Sequence, residues 1–111
     1  MANPSIKRTF GPVPFAVAAA NIYNQGSALI YDIIKHMHVV NTTAGALVFT
    51  LFLSQTTGTE TAGKELFVGH AVPANAEFDW YGNMKMLNTD FLVGHAPITM
   101  TIMGEGEQYV A

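Results

Sequence analysis

Two apolar runs, residues 28–40 and 46–53, flank the short segment Asn41-Thr42-Thr43-Ala44-Gly45, and the second run is apolar at nearly every position. Successive side chains of a strand face opposite sides of the sheet. Leu47, Phe49, Leu51 and Leu53 therefore share one side, and Val48, Thr50 and Phe52 the other. A strand that is apolar on both sides has to be covered on both. The Asn/Thr/Gly segment reads as a turn, so the two runs are expected to form a β-hairpin. One side of it would face the domain core and the other a neighbouring chain.

Charge supports an assembled state. The chain has 111 residues, one domain's worth, and is 50% hydrophobic with only 12% charged residues. Soluble domains carry about 25% charged residues. A membrane would be one explanation, but no stretch of about 18 residues is free of charge and polar breaks. Asp32 and Lys35 interrupt the first run. The start of the chain, through Lys7 and Arg8, has no signal-peptide apolar core, so synthesis in a cytoplasm is expected. The net charge is −3, and the five Lys and Arg residues are scattered, which excludes the basic stripe of a non-specific nucleic-acid binder. With no cysteine, disulfides, thiolate metal sites and a cysteine nucleophile are excluded.

Residues 1–17 form a distinct segment. Pro4, Pro12 and Pro14 favour extended backbone and remove donors. We read residues 1–14 as an extended arm outside the sheet, with Ile6, Phe10, Val13 and Phe15 as contacts to a neighbour and the domain proper at 18–111. Short segments separated by turns follow. Strands are expected at 18–23, 28–40, 46–53, 65–71, 76–80, 84–87, 91–93 and 97–103, with Tyr81-Gly82-Asn83 and Gly104-Glu105-Gly106-Glu107 ending strands and 54–63 as an exposed loop. About eight short strands without helical periodicity predict an all-β, jelly-roll-like sandwich.

Catalytic patterns are absent from the sequence. Ser5, Ser27 and Ser54 have no nucleophile-elbow context and no loop has the phosphate-cradling glycine pattern. His36 and His38, two apart on one strand, are the weak candidates for a metal, with His70 or His95 as a completing ligand. Cupins, themselves jelly rolls, follow such a pair with a glutamate, whereas residues 39–45 hold no carboxylate. The plainer reading is a pair of half-exposed strand residues, and no cofactor is expected. Glu77 with Asp79, and Glu105 with Glu107, read as solvated strand edges. Asn41-Thr42-Thr43 matches a glycosylation sequon, but its side chains are expected to close the turn by bonding the backbone. Trp80 and Tyr81 could stack a sugar; at this spacing they read as core or interface.

Taken together, His36-x-His38-Val39-x-Asn41-Thr42-Thr43, Val72-Pro73-Ala74-Asn75, Asp79-Trp80-Tyr81-Gly82 and Ile98-Thr99-Met100-Thr101-Ile102-Met103-Gly104-Glu105 resemble small virion-associated structural proteins of tailed bacteriophages, over roughly residues 10–107. The resemblance implies a β-sandwich that assembles on the particle and catalyses nothing. The expected function is a homo-oligomer, a trimer for example, in or on the phage tail apparatus beside other virion proteins, without nucleic acid or membrane. The alternative is a capsid decoration protein stapling capsomers with its arm. A cupin-like metal enzyme and a carbohydrate-binding module are the alternatives of another class. Val48, Phe52, Trp80 and Tyr81 complete the expected interface, and the arm is expected to be dispensable for folding.

Overall fold

A computed structural model describes residues 7–110. Eight strands follow one another: β1 (Lys7–Pro14), β2 (Ala20–Tyr23), β3 (Ile30–Asn41), β4 (Leu47–Ser54), β5 (Glu65–Val72), β6 (Ala76–Met86), β7 (Phe91–His95) and β8 (Met100–Val110). They make two antiparallel four-stranded sheets, ordered β1-β8-β3-β6 and β2-β7-β4-β5. Only β4 and β5 are neighbours both in sequence and in a sheet; every other connection passes from one sheet to the other. That interleaving is the strand order of a jelly-roll sandwich. The core between the sheets is built from Ile34, Met37, Val39, Met84, Met86, Met100 and Ile102 on one side and Phe49, Leu51, Val72 and Leu92 on the other.

The expected hairpin is not formed. β3 and β4 lie in opposite sheets, and residues 42–46 carry the chain across. The crossing is fixed by Asn41, which is fully buried. Its amide donates to the carbonyls of Gly45, Val72 and Pro73 at 2.9, 3.0 and 3.1 Å, while its oxygen accepts from the Thr43 amide and hydroxyl. The Asn/Thr segment thus closes a turn through side-chain bonds, but one that joins two layers. With its amide group enclosed and fully engaged, Asn41 is not an acceptor for a glycan.

The second face of β4 is covered by this chain itself. Phe52 stands opposite Val93, and Val93 opposite Asn21, across the outer face of the second sheet. Asn21 holds the 55–64 loop by bonds to the Thr57 hydroxyl and the Gly58 amide, and His95 on the same face meets Glu60 at 2.5 Å. The loop therefore lies over Phe52 and Val93, both buried although outside the central cluster.

The N-terminal segment also departs from the reading above. Ile6 lies outside the described residues. From Lys7 the chain is not a free arm: β1 is an edge strand paired with β8, from Lys7 opposite Gly106 to Pro14 opposite Thr101. Edge strands tolerate proline because one row of donors has no partner to lose. Phe10 and Phe15 are core residues and Val13 packs against the core, so these three serve this chain's own interior. Phe10 stacks on Tyr23 of the other sheet with ring centroids 5.3 Å apart.

Two expected strand ends are strand interiors. β6 runs unbroken through Tyr81-Gly82-Asn83, and β8 through Gly104-Glu105-Gly106-Glu107. In β8 the glycines face inward because the space is taken. A Cβ on Gly104 would sit 2.3 Å from the Phe10 ring, and one on Gly106 would sit 1.9 Å from the Ile33 carbonyl oxygen.

Candidate functional site

The register of β3 shifts between Ile34 and His36 on both sides: β3 has the extra residue against β8, and β6 has it against β3. The inward set is Asp32 and Ile34 before the shift and Met37, Val39 and Asn41 after it. The phase shift places His36 and His38 together on the outer face of the first sheet. His38 stands opposite Asp79 of β6, and His36 stands between Tyr81 of β6 and Glu105 of β8.

Side chains from three adjacent strands converge there. His36 Nε2 lies 2.6 Å from Asp79 Oδ1, His38 Nδ1 lies 2.7 Å from the same oxygen, and His36 Nδ1 lies 2.8 Å from Glu105 Oε1. The Tyr81 ring stacks on His36 with centroids 4.6 Å apart and planes within 8°. Burial by itself would lower the His36 pKa. Hydrogen bonds and charge from Asp79 and Glu105 together outweigh it and hold the imidazole above its usual value. His36, then His38, holds the Asp79 carboxyl below its usual range. Among the described residues, the ion-pair partners of Asp79 and Glu105 are histidines alone. His36, His38 and Asp79 offer three ligand atoms within 4.8 Å of one another, a set that suits a metal ion.

His70 and His95 do not complete the cluster. They belong to β5 and β7 of the opposite sheet, where His70 packs among Phe49, Phe67 and Phe78. The third ligand atom comes instead from Asp79. Its sequence signal was an acidic residue alternating with Glu77 on one strand; nothing in the chain near His36 pointed to β6 as the neighbour. Glu105 was hidden in the same way by the glycines around it. Because the histidine pair faces away from the interior, the inward pocket of a cupin-like enzyme is not what these residues line.

Of the expected interface residues, Val48 and Tyr81 are exposed, Phe52 is buried under the 55–64 loop, and Trp80 is partly buried against the core. A sugar-stacking groove would need the Trp80 ring in the open. Instead it lies over the inner side of β6, where a Cβ on Gly82 would come within 2.6 Å of it. Other exposed apolar side chains are Val17 and Ile98 at the end of the sandwich where β1–β2 and β7–β8 connect, Val68 on β5, and Leu29 and Val110.

The fold and surface define an all-β jelly-roll sandwich with a histidine–carboxylate cluster on one outer sheet face. Among solved structures, a chain in the structure of infectious bursal disease virus, Gx strain, is similar to it, with a TM-score of 0.53 at 9% identity over 97% of this chain. The chain spans about a third of that chain's length, 32%. A second, in the structure of the Gt strain, superposes with a TM-score of 0.34 at 7% identity, covering 96% of this chain and 30% of that one, too low to argue from. No protein family and no curated protein matches the sequence.

Proposed function

We propose that this chain is a non-enzymatic structural protein of a virion, assembling with copies of itself in or on the tail apparatus of a tailed bacteriophage. The observation that carries the reading is the apolar surface of a chain so poor in charge. Val17, Leu29, Val68, Ile98 and Val110 are each at least 65% exposed, and Val48, opposite Ala71 of β5, is exposed as well. Apolar surface that a single copy leaves in water marks contact surfaces in general. The jelly-roll likeness to a chain of a virus particle supports a place in a virion, and the motif set that resembles virion proteins of tailed bacteriophages supports a phage.

Sedimentation velocity of the untagged chain at micromolar concentration should show species larger than the 12.0 kDa monomer. A monomer throughout would overturn self-assembly. Purified phage particles should contain the chain, with its density in the tail by cryo-EM. Density over the head would replace the tail reading with capsid decoration, and absence from the particle would overturn the virion role.

A further inference from the structure

We propose that His36, His38 and Asp79 form a binding site for a divalent transition-metal ion, with Zn2+ as the best fit, and that Glu105 and Tyr81 orient His36 for it. This inference does not depend on the assembly reading.

The donor set selects the ion. Two imidazole nitrogens and one carboxylate oxygen suit zinc and its first-row neighbours. A calcium ion would need six to eight oxygen ligands, and a soft cuprous ion would need sulfur. Within that series a nitrogen-rich site favours the later metals. Three protein ligands leave a fourth position for water or for a donor from a neighbouring molecule, as in open zinc sites.

The backbone holds the set ready. His36 and His38 share a face because they are two apart on β3, the register shift before His36 turns that face outward, and the ladder to β6 places Asp79 directly opposite His38. The observed separations from Asp79 Oδ1 to the two imidazole nitrogens, 2.6 and 2.7 Å, are hydrogen-bond lengths. Ligands around a tetrahedral zinc are about 3.3 Å apart, from metal–ligand bonds of about 2.0–2.1 Å. A side-chain rotation of Asp79, whose side chain is 32% exposed, supplies the difference without moving a strand.

The outer shell matches as well. A metal-bound histidine donates its other ring N–H to a carboxylate or carbonyl, which fixes the tautomer and strengthens the ligand. Glu105 Oε1 stands 2.8 Å from His36 Nδ1 and takes that role when Nε2 binds the ion. Tyr81, stacked on the ring, fixes its plane. No lysine or arginine is paired with either carboxylate among the described residues, so an incoming cation displaces only the protons of the histidines themselves.

The test uses the untagged full chain, stripped with a chelator and titrated with Zn2+ against a chromophoric competitor. One ion per chain is expected. His38→Gln and Asp79→Asn should each weaken binding by at least about tenfold, and Glu105→Gln by about tenfold to a hundredfold as a second-layer partner. The double variant His70→Gln, His95→Gln should bind as the parent does. Each variant's fold is checked by its β-type circular dichroism. As a readout that needs no variant, Co2+ in place of Zn2+ should give the intense visible absorption of a four-coordinate site, displaced by one equivalent of Zn2+. No stoichiometric ion on the parent chain would overturn the proposal. So would an affinity that survives Asp79→Asn and His38→Gln but falls in the His70, His95 variant.

Discussion

At Gly106 the distance from an added Cβ to the Ile33 carbonyl oxygen would be 1.9 Å, and that oxygen is backbone in the central strand. Nothing there can swing aside. At Gly104 the obstacle is the Phe10 ring, a side chain that can shift at the expense of its stack on Tyr23. Gly104→Ala should therefore cost about 1–3 kcal/mol, the usual range for overpacking a core, and Gly106→Ala should cost more. Urea denaturation midpoints of the two variants check the order; equal midpoints would refute it. The Gly-x-Gly pair was plain in the sequence as a turn signal, because glycine is rare in strand interiors. What made it a strand was a residue nearly a hundred positions away, Phe10, filling the space the side chains would have used. A single sequence carries no sign of that contact.

At the level of elements, β2 to β8 were legible because alternation and turn residues mark them locally, although β6 was read as two strands and β1 as an arm. Partnership was not legible. The runs around Asn41 look like a hairpin because apolar residues on both sides of β4 call for two covers, and a second chain was the simplest source of one. The structure supplies it from the 55–64 loop, pinned by Asn21 and His95, which sit on strands far apart in sequence. The histidine site shows the same limit. The His36–His38 spacing was visible, but the facing carboxylate depends on β6 lying beside β3. The proline-rich start was misleading for a local reason: prolines that exclude a central strand are acceptable at an edge. A consequence can be measured. A chain lacking residues 1–14 loses β1 and with it Phe10, and leaves the flank of β8 unpaired. Removing a buried phenylalanine side chain alone costs about 3–5 kcal/mol, a large part of a small domain's stability. The truncated chain should lose its cooperative thermal transition or aggregate, as seen by circular dichroism and light scattering. A folded, monodisperse product would show that β1 is dispensable.

Across the whole molecule, the two sheets are tied by more than apolar packing. Asp32 of β3 is fully buried and accepts hydrogen bonds from Tyr23 of β2 and Gln108 of β8, while Lys7 of β1 donates to Gln108 at 2.9 Å. One polar chain thus joins four strands of both sheets. Burial first, and then the Asp32 carboxylate, push the Tyr23 phenol well above its ordinary 10.0. The sign follows from proton binding. Above pH 10.0 the unfolded phenol gives up its proton while the folded one keeps it, so the folded state binds more protons and loses stability as pH rises. Below that value the contribution is constant. Stability measured by urea titration should decline steadily above pH 10, and Tyr23→Phe should flatten the decline while lowering stability at neutral pH. An unchanged alkaline slope in the variant would assign the decline to other groups.

The order of strands in the sheets also governs how the molecule can come into being. β1 pairs only with β8, and β8 also completes the ladder on one side of β3. A ribosome releases β1 before the other seven strands and β8 after them, so the first sheet cannot close until β8 has emerged. Closing that sheet must wait for β8 and then join segments about ninety residues apart, which is the slow regime for small domains. In that interval unpaired apolar strands are exposed on every nascent copy, and chaperones or early encounters between copies decide the yield.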